Sequence, residues 1–163
     1  MKNAKGLILI ELIMTIVLIG IIATFIGFFI YSGINSYLRA KDITTGALDA
    51  QRALDRISLE LRDITDISPT PNSSTVTYKS AVLTGTRTLK YAGNTIFINT
   101  NPNDYELLEG VSSFNLSYTY LNLDDDPAPV DEVANIEVTF SLEGIGKNFR
   151  TNIFPRNLVK KTW

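Results

Sequence analysis

The feature that most constrains this chain is an unbroken run of 27 uncharged residues, 12–38, close to its amino terminus. Ile, Leu and Phe dominate the run, and as a helix rising 1.5 Å per residue it would be about 40 Å long. The hydrocarbon core of a bilayer is only about 30 Å thick. The run therefore predicts a single transmembrane helix, with Tyr31 and Tyr37 at a depth that suits interfacial aromatic residues.

A cleaved secretory signal peptide is the first alternative for such a segment. It requires an apolar core of about 7–15 residues followed by a small-x-small cleavage site. Here the apolar core is longer, and no such site follows it. Lys2 and Lys5 before the run favour a cytoplasmic amino terminus, but Arg39 and Lys41 follow it closely, so charge alone is a weak guide to topology.

The rest of the chain has the composition of one soluble domain. Of the 73 hydrophobic residues, 23 lie within residues 7–38, which leaves 50 for the other 131 positions.

The chain has no cysteine and no histidine, which excludes disulfides, thiolate or imidazole zinc sites, and catalysis of the Cys-His or Ser-His-Asp kinds. No phosphate-binding Gly-rich loop, SxxK or GxSxG motif is present, so we expect no enzyme.

The charge balance argues against a broad nucleic-acid-binding face. The net charge is −2, and the longest cationic run is the pair Lys160-Lys161. Proteins that bind nucleic acid through the phosphate backbone usually present clustered Lys and Arg. We therefore expect no direct nucleic-acid partner.

Glu11 is the one charged residue within the apolar segment that begins at Leu7. A carboxylate in a membrane helix costs about 2.5–3.5 kcal/mol at the bilayer centre on insertion scales, and less near the ends. One interpretation is that Glu11 lies at the interface and reaches the headgroups. The other is that its carboxylate requires a positive partner.

The residues around Glu11 resemble the class III signal of type IV pilins and pseudopilins. A short basic leader ends at Gly6, four apolar residues follow, and then come Glu11 and a long apolar stretch. The resemblance implies that a prepilin peptidase cuts between Gly6 and Leu7 and methylates the new amino group of Leu7. It also implies that Glu11 is the carboxylate used in subunit assembly, paired with the ammonium group of a neighbouring subunit.

The sequence departs from the family pattern in two small ways. The first mature residue is Leu rather than the commoner Phe or Met, and the proline that many pilins carry later in this helix is absent. Gly20 and Gly27 remain as weak points in the helix. Part of this helix can lose helicity in filaments of the family, and we expect such a loss at Gly20.

A helical period continues beyond the apolar run. Apolar residues recur at spacings of 4, 3, 4, 3, 4 and 3, and they are Ile43, Ala47, Ala50, Leu54, Ile57, Leu61 and Ile64. This stripe predicts an amphipathic helix over residues 42–67, ended by Pro69 and Pro71. A coiled-coil partner or the chain's own sheet could cover the stripe, and its short length and its alanines favour the sheet.

From Thr75 onward the period changes from 3.6 to two. Strand patterns occur at 76–79, 88–91, 95–98, 114–120, 136–143 and 148–154, with turn signals at 93–94 and 144–146. Such alternation is typical of an antiparallel sheet with one face on a helix and one in solvent. The predicted fold class is therefore α+β, a long amino-terminal helix packed on an antiparallel sheet, and the resemblance implies that this fold is pilin-like.

These patterns divide the chain into four segments. Residues 1–6 are the leader, 7–38 the transmembrane and assembly helix, 39–68 an amphipathic helix continuing it, and 69–163 a β-rich extracytoplasmic domain. The strand around Phe114, rich in Tyr, and the closing hairpin ending at Phe154 are similar to minor pilins of the J/W kind. The absence of cysteine removes the disulfide loop of many major pilins, which favours a minor pilin or pseudopilin.

An acidic segment is the one candidate for a metal site. Five carboxylates fall within residues 124–132, and Asp124, Asp126 and Asp131 are weak candidates for calcium ligands. The spacing is not that of an EF-hand, since Pro127 interrupts it. We favour a solvated acidic loop between two strands, and therefore expect no cofactor.

The resemblance implies a structural subunit of a type IV pilus, a type II secretion pseudopilus or a competence filament. The implied location is the bacterial inner membrane, crossed once with the amino terminus in the cytoplasm and the β-rich domain outside, and then the filament. The implied partners are other pilin or pseudopilin subunits, the prepilin peptidase and the inner-membrane assembly platform. The alternative is a non-assembling, single-pass protein that anchors a binding or sensor domain.

Overall fold

The computed structural model describes the backbone of residues 4–68, 70–123 and 132–161, and the side chains of 9–68, 70–123 and 132–159. Within these ranges one helix precedes nine strands. They are α1 (Ala4–Arg62), β1 (Ile64–Ile67), β2 (Thr75–Ser80), β3 (Thr86–Ala92), β4 (Thr95–Asn99), β5 (Asp104–Leu108), β6 (Val111–Leu121), β7 (Glu132–Leu142), β8 (Ile145–Ile153) and β9 (Lys160–Lys161). This order, a long helix and then strands, confirms the predicted α+β class.

The chain forms two compact units, Met1–Thr44 and Thr45–Trp163. The described part of the first unit is the amino-terminal part of α1 alone. The second unit holds the remainder of α1 and all nine strands, and it contains every residue of the hydrophobic core.

All nine strands belong to one sheet. Its order is β5-β4-β3-β2-β1-β9-β7-β6, and β8 pairs with β7. Neighbouring strands run antiparallel, as predicted, except for the short parallel pair of β1 and β9. That pair joins Asp66 to Lys160 and Ile67 to Lys161. Because β9 lies between β1 and β7, it links strands β1–β5 to strands β6–β8.

The core of the second unit lies between the carboxyl-terminal part of α1 and the sheet. The apolar stripe of α1 is buried from Ala50 to Leu61, which confirms that the chain's own sheet covers it. The stripe does not begin at Ile43 as predicted, because Ile43 lies in the first unit and is 48% exposed. Gly46 permits a close approach, since a Cβ there would lie 2.9 Å from Cδ1 of Ile145.

The predicted end of the amphipathic helix is wrong. We expected helix over residues 42–67, but α1 ends at Arg62 and residues Ile64–Ile67 form β1. Ile64 and Ile67 are both buried although they are three residues apart, because a bulge between Ile64 and Asp66 shifts the register against β2. A spacing of three residues between apolar side chains is also typical of a helix. The bulged strand therefore has the same spacing as the helical stripe, which is why the sequence predicted helix there.

The strands predicted from period-two alternation are present. The turn between β3 and β4 is formed by Gly93 and Asn94, whose φ values of 56° and 62° are those required by the predicted two-residue hairpin. Three strands had no prediction, namely β1, β5 and β9. Each of these has five residues or fewer, and none follows a Gly-Asn turn signal such as the one that identified the equally short β4.

Candidate assembly site on the amino-terminal helix

The apolar segment of α1 is helical throughout its described length, and the described chain does not cover it. The large hydrophobic side chains from Leu9 to Leu38 are 47% to 73% exposed. This helix contains an 18-residue window of mean hydropathy 2.7 with no buried residue, and it is long and apolar enough to cross a membrane. These properties are compatible with a single-pass membrane anchor.

Glu11 lies on this helix and is exposed. Its backbone carbonyl accepts a hydrogen bond from the Thr15 hydroxyl at 2.7 Å, so the polar group of Thr15 is satisfied within the helix. Among the described side chains, no cation pairs with the Glu11 carboxylate. A group that neutralises it in an apolar environment would therefore have to lie outside the described side chains.

Gly6 and Leu7, the predicted processing residues, lie in the first turns of α1, which begins at Ala4. Their side chains are outside those that the structure describes. A peptidase acting between them would have to open the end of this helix. Opening of a terminal turn is among the least costly local transitions in a folded chain.

Gly20 lies in a regular part of α1. The Thr24 hydroxyl donates a hydrogen bond of 2.8 Å to the Gly20 carbonyl, and apart from the adjacent residues and the nearby backbone of α1 no described heavy atom lies within 4 Å of the position that a Cβ would take. The isolated chain therefore keeps its helix here. The loss of helicity at Gly20 remains a prediction about the assembled state.

The candidate calcium ligands Asp124, Asp126 and Asp131 lie outside the described residues. Glu132, which follows them, begins β7 and is buried, and its carboxylate accepts a hydrogen bond from the backbone N–H of Leu123 at 3.3 Å. The described residues contain no group of three or more Asp and Glu side chains arranged to hold a metal ion.

A buried charge cluster in the second unit was not expected from the sequence. Glu60 is not part of the apolar stripe of α1, yet it is only 2% exposed. The guanidinium of Arg87 on β3 places Nη2 2.9 Å from Oε1 and Nε 2.9 Å from Oε2 of Glu60. Arg56 Nη2 lies 2.5 Å from Oε1, and the Tyr78 hydroxyl donates to Oε2 at 3.0 Å.

This cluster joins α1 to β2 and β3 through one carboxylate. Burial of the phenol, reinforced by the negative charge of Glu60, raises the pKa of Tyr78 and keeps its hydroxyl protonated as a donor. Because two guanidinium groups already neutralise Glu60, the arrangement serves to hold the helix on the sheet and offers no free acid or base. No local sequence signal marks it, since its members come together only when β2 and β3 pair.

Comparison of the chain with models of protein families, with curated protein sequences and with solved structures finds no match. The resemblance to pilins therefore rests on the residues quoted for it, chiefly those of the first 38 positions.

Proposed function

We propose that this chain is a structural subunit of a filament of the type IV pilin kind, a minor pilin or pseudopilin that assembles through its amino-terminal helix. The observation that carries the proposal is Glu11, a single carboxylate on an uncovered apolar helix with no cationic partner among the described side chains. A simple anchor requires the apolar residues but not the carboxylate.

The energetics of assembly explain why a carboxylate at this position is useful. Cleavage between Gly6 and Leu7 would create an ammonium group at Leu7, about one helical turn from Glu11. In a bundle of apolar helices each of these charges is costly alone, and a matched pair costs much less. Pairing Glu11 of one subunit with the ammonium group of the next would therefore set the axial register between neighbouring subunits.

The other elements of the proposal follow from the same helix. The apolar surface of α1 is covered first by the lipid of the bacterial inner membrane, with the amino terminus in the cytoplasm and the β-rich unit outside. After processing by a prepilin peptidase, equivalent helices of other subunits replace the lipid, with the help of an inner-membrane assembly platform. The chain acts as a structural component, and no catalytic role is proposed.

Mass spectrometry of the amino terminus tests this proposal. The full-length chain is coexpressed with a prepilin peptidase, and in parallel with a catalytically inactive form of the same peptidase. We expect the active peptidase to remove residues 1–6 and to leave a methylated Leu7. A chain that still begins at Met1 with both peptidases would favour the non-assembling single-pass anchor instead.

A further inference from the structure

Three strands of the sheet, β5, β6 and β8, have a neighbouring strand on one side only within the described residues. β5 pairs only with β4, and β8 pairs only with β7. The outer side of β6 is partly used, because the backbone N–H groups of Val111 and Leu116 donate to the carbonyls of Asn94 and Ser73 at 2.9 and 2.8 Å. The outer edges of β5 and β8 therefore present the backbone groups to which another strand can bond.

The edge formed by β5 is negatively charged. Asp104 is paired with Lys90, whose Nζ lies 2.6 Å from Oδ2. Glu106 and Glu109 have no salt bridge among the described side chains. Partial desolvation, the negative charge of Glu109 and a side-chain hydrogen bond with Glu109 raise the pKa of Glu106, so these two acids lie close together. The exposed ring of Tyr105 lies between Asp104 and Glu106 in the strand and adds an apolar surface.

The edge formed by β8 is positively charged. Its charged residues are Lys147 and Arg150, and both are exposed. Arg150 pairs with Glu137 on β7 at 2.5 Å, whereas Lys147 has no salt bridge among the described side chains. The β8 edge therefore offers a cation that lacks an anion, and the β5 edge offers anions that lack a cation.

We propose that the β5 edge of one copy of this chain adds to the β8 edge of a second copy. Pairing β5 with β5 would bring carboxylates together, and pairing β8 with β8 would leave Lys147 without an anion. Only the mixed pairing places Glu106 and Glu109 near Lys147, so the charges select it. Because the two surfaces differ, each added copy leaves one edge free, and the contact builds an open series of subunits.

This contact involves only residues of the second unit, so it stands or falls independently of cleavage at Gly6. Single cysteines provide a clean test because the natural chain contains none. Asn103→Cys marks the β5 edge and Asn148→Cys marks the β8 edge, and both positions are exposed. One variant carries a size tag, and the full-length chains are mixed in detergent and treated with a short bismaleimide.

We expect the Asn103→Cys and Asn148→Cys chains to cross-link to each other more efficiently than either does to itself. Ser117→Cys, at an exposed position on β6, is the matched control for random encounters within a micelle. Equal yields for all combinations, or a preference for identical chains, would overturn the proposal.

Charge reversal tests the selection directly. Adding Lys147→Glu to the Asn148→Cys chain should lower the mixed yield about fivefold, the effect of about 1 kcal/mol from one unfavourable pair. Adding Glu106→Lys to the Asn103→Cys chain should then restore the yield. A yield that responds to neither change would exclude the charged edges as the source of the contact.

Discussion

At the scale of single residues, Glu11 and Glu60 are both carboxylates on one helix, but only Glu60 has cationic partners among the described side chains. Glu60 is buried, and two arginines and a tyrosine of its own chain surround it. Glu11 is surrounded by apolar residues of α1 and has no cation among the described side chains. Glu60 therefore stabilises the second compact unit, whereas the role of Glu11 is the one given to it by the proposed assembly.

Glu11→Ala should separate processing from assembly. We expect the variant to be cut after Gly6 as efficiently as the natural chain, because the scissile bond lies five residues away. Its incorporation should fall by more than about tenfold, since an unpaired ammonium group in an apolar bundle costs about 2.5–3.5 kcal/mol. Quantitative immunoblotting of sheared filaments measures incorporation.

Thr15→Ala serves as the control, because it removes a nearby polar side chain but leaves the carboxylate. Normal incorporation of the Glu11→Ala chain would show that the carboxylate has no part in assembly.

Glu60→Ala should destabilise the second unit strongly. It leaves the Arg87 guanidinium, which is only 12% exposed, without its anion. Breaking a buried pair in this way costs about 3–5 kcal/mol. Denaturant unfolding of the full-length chain in detergent, followed by near-ultraviolet circular dichroism of the tyrosines, measures the loss.

Asp49→Ala is the matched control on the same helix. It removes the partner of Arg52 in a pair whose side chains are 45% and 77% exposed, so solvent screening leaves a cost below about 1 kcal/mol. Similar losses of unfolding free energy for Glu60→Ala and Asp49→Ala would mean that burial of the Glu60 cluster adds nothing to the stability of the second unit.

At the scale of elements, the sequence predicts the apolar segment and the buried stripe of α1 well, but it does not predict where the helix ends. Its apolar segment and its buried stripe follow from charge and spacing alone. Its end does not, because Ile64 and Ile67 satisfy a helical spacing and a bulged strand equally well. Only the pairing of β1 with β2 and β9 decides between them, and those partners lie more than ten residues away in sequence.

Two leucines of α1 provide a test of which face packs on the sheet. Leu61 is fully buried and Leu59 is 53% exposed, although they are two residues apart. Leu61→Ala should lower the free energy of unfolding by about 2–5 kcal/mol through lost burial and a residual cavity. Leu59→Ala should change it by less than about 0.5 kcal/mol.

The same denaturant titration measures both leucine variants. Equal losses for the two would contradict the helix orientation described here.

At the scale of the whole molecule, the two compact units differ in how much of their apolar side-chain surface is exposed. The described part of the first exposes nearly all of its large apolar side chains, whereas the second buries most of its own in a core. The sequence indicates this division through composition, since residues 7–38 hold far more apolar residues than the rest. It does not indicate the Glu60 cluster or the charged strand edges, because these depend on which strands become neighbours.

A chain that begins at Thr45 should therefore fold without detergent. Every core residue from Ala50 to Val159 is retained in it, and Thr45 is a residue type suited to cap the new start of the helix. We expect a soluble protein with one cooperative unfolding transition, while the full-length chain sediments with membranes. Differential scanning calorimetry and fractionation measure the two properties. Failure of the shortened chain to unfold cooperatively would show that the amphipathic part of α1 depends on the apolar part in order to form.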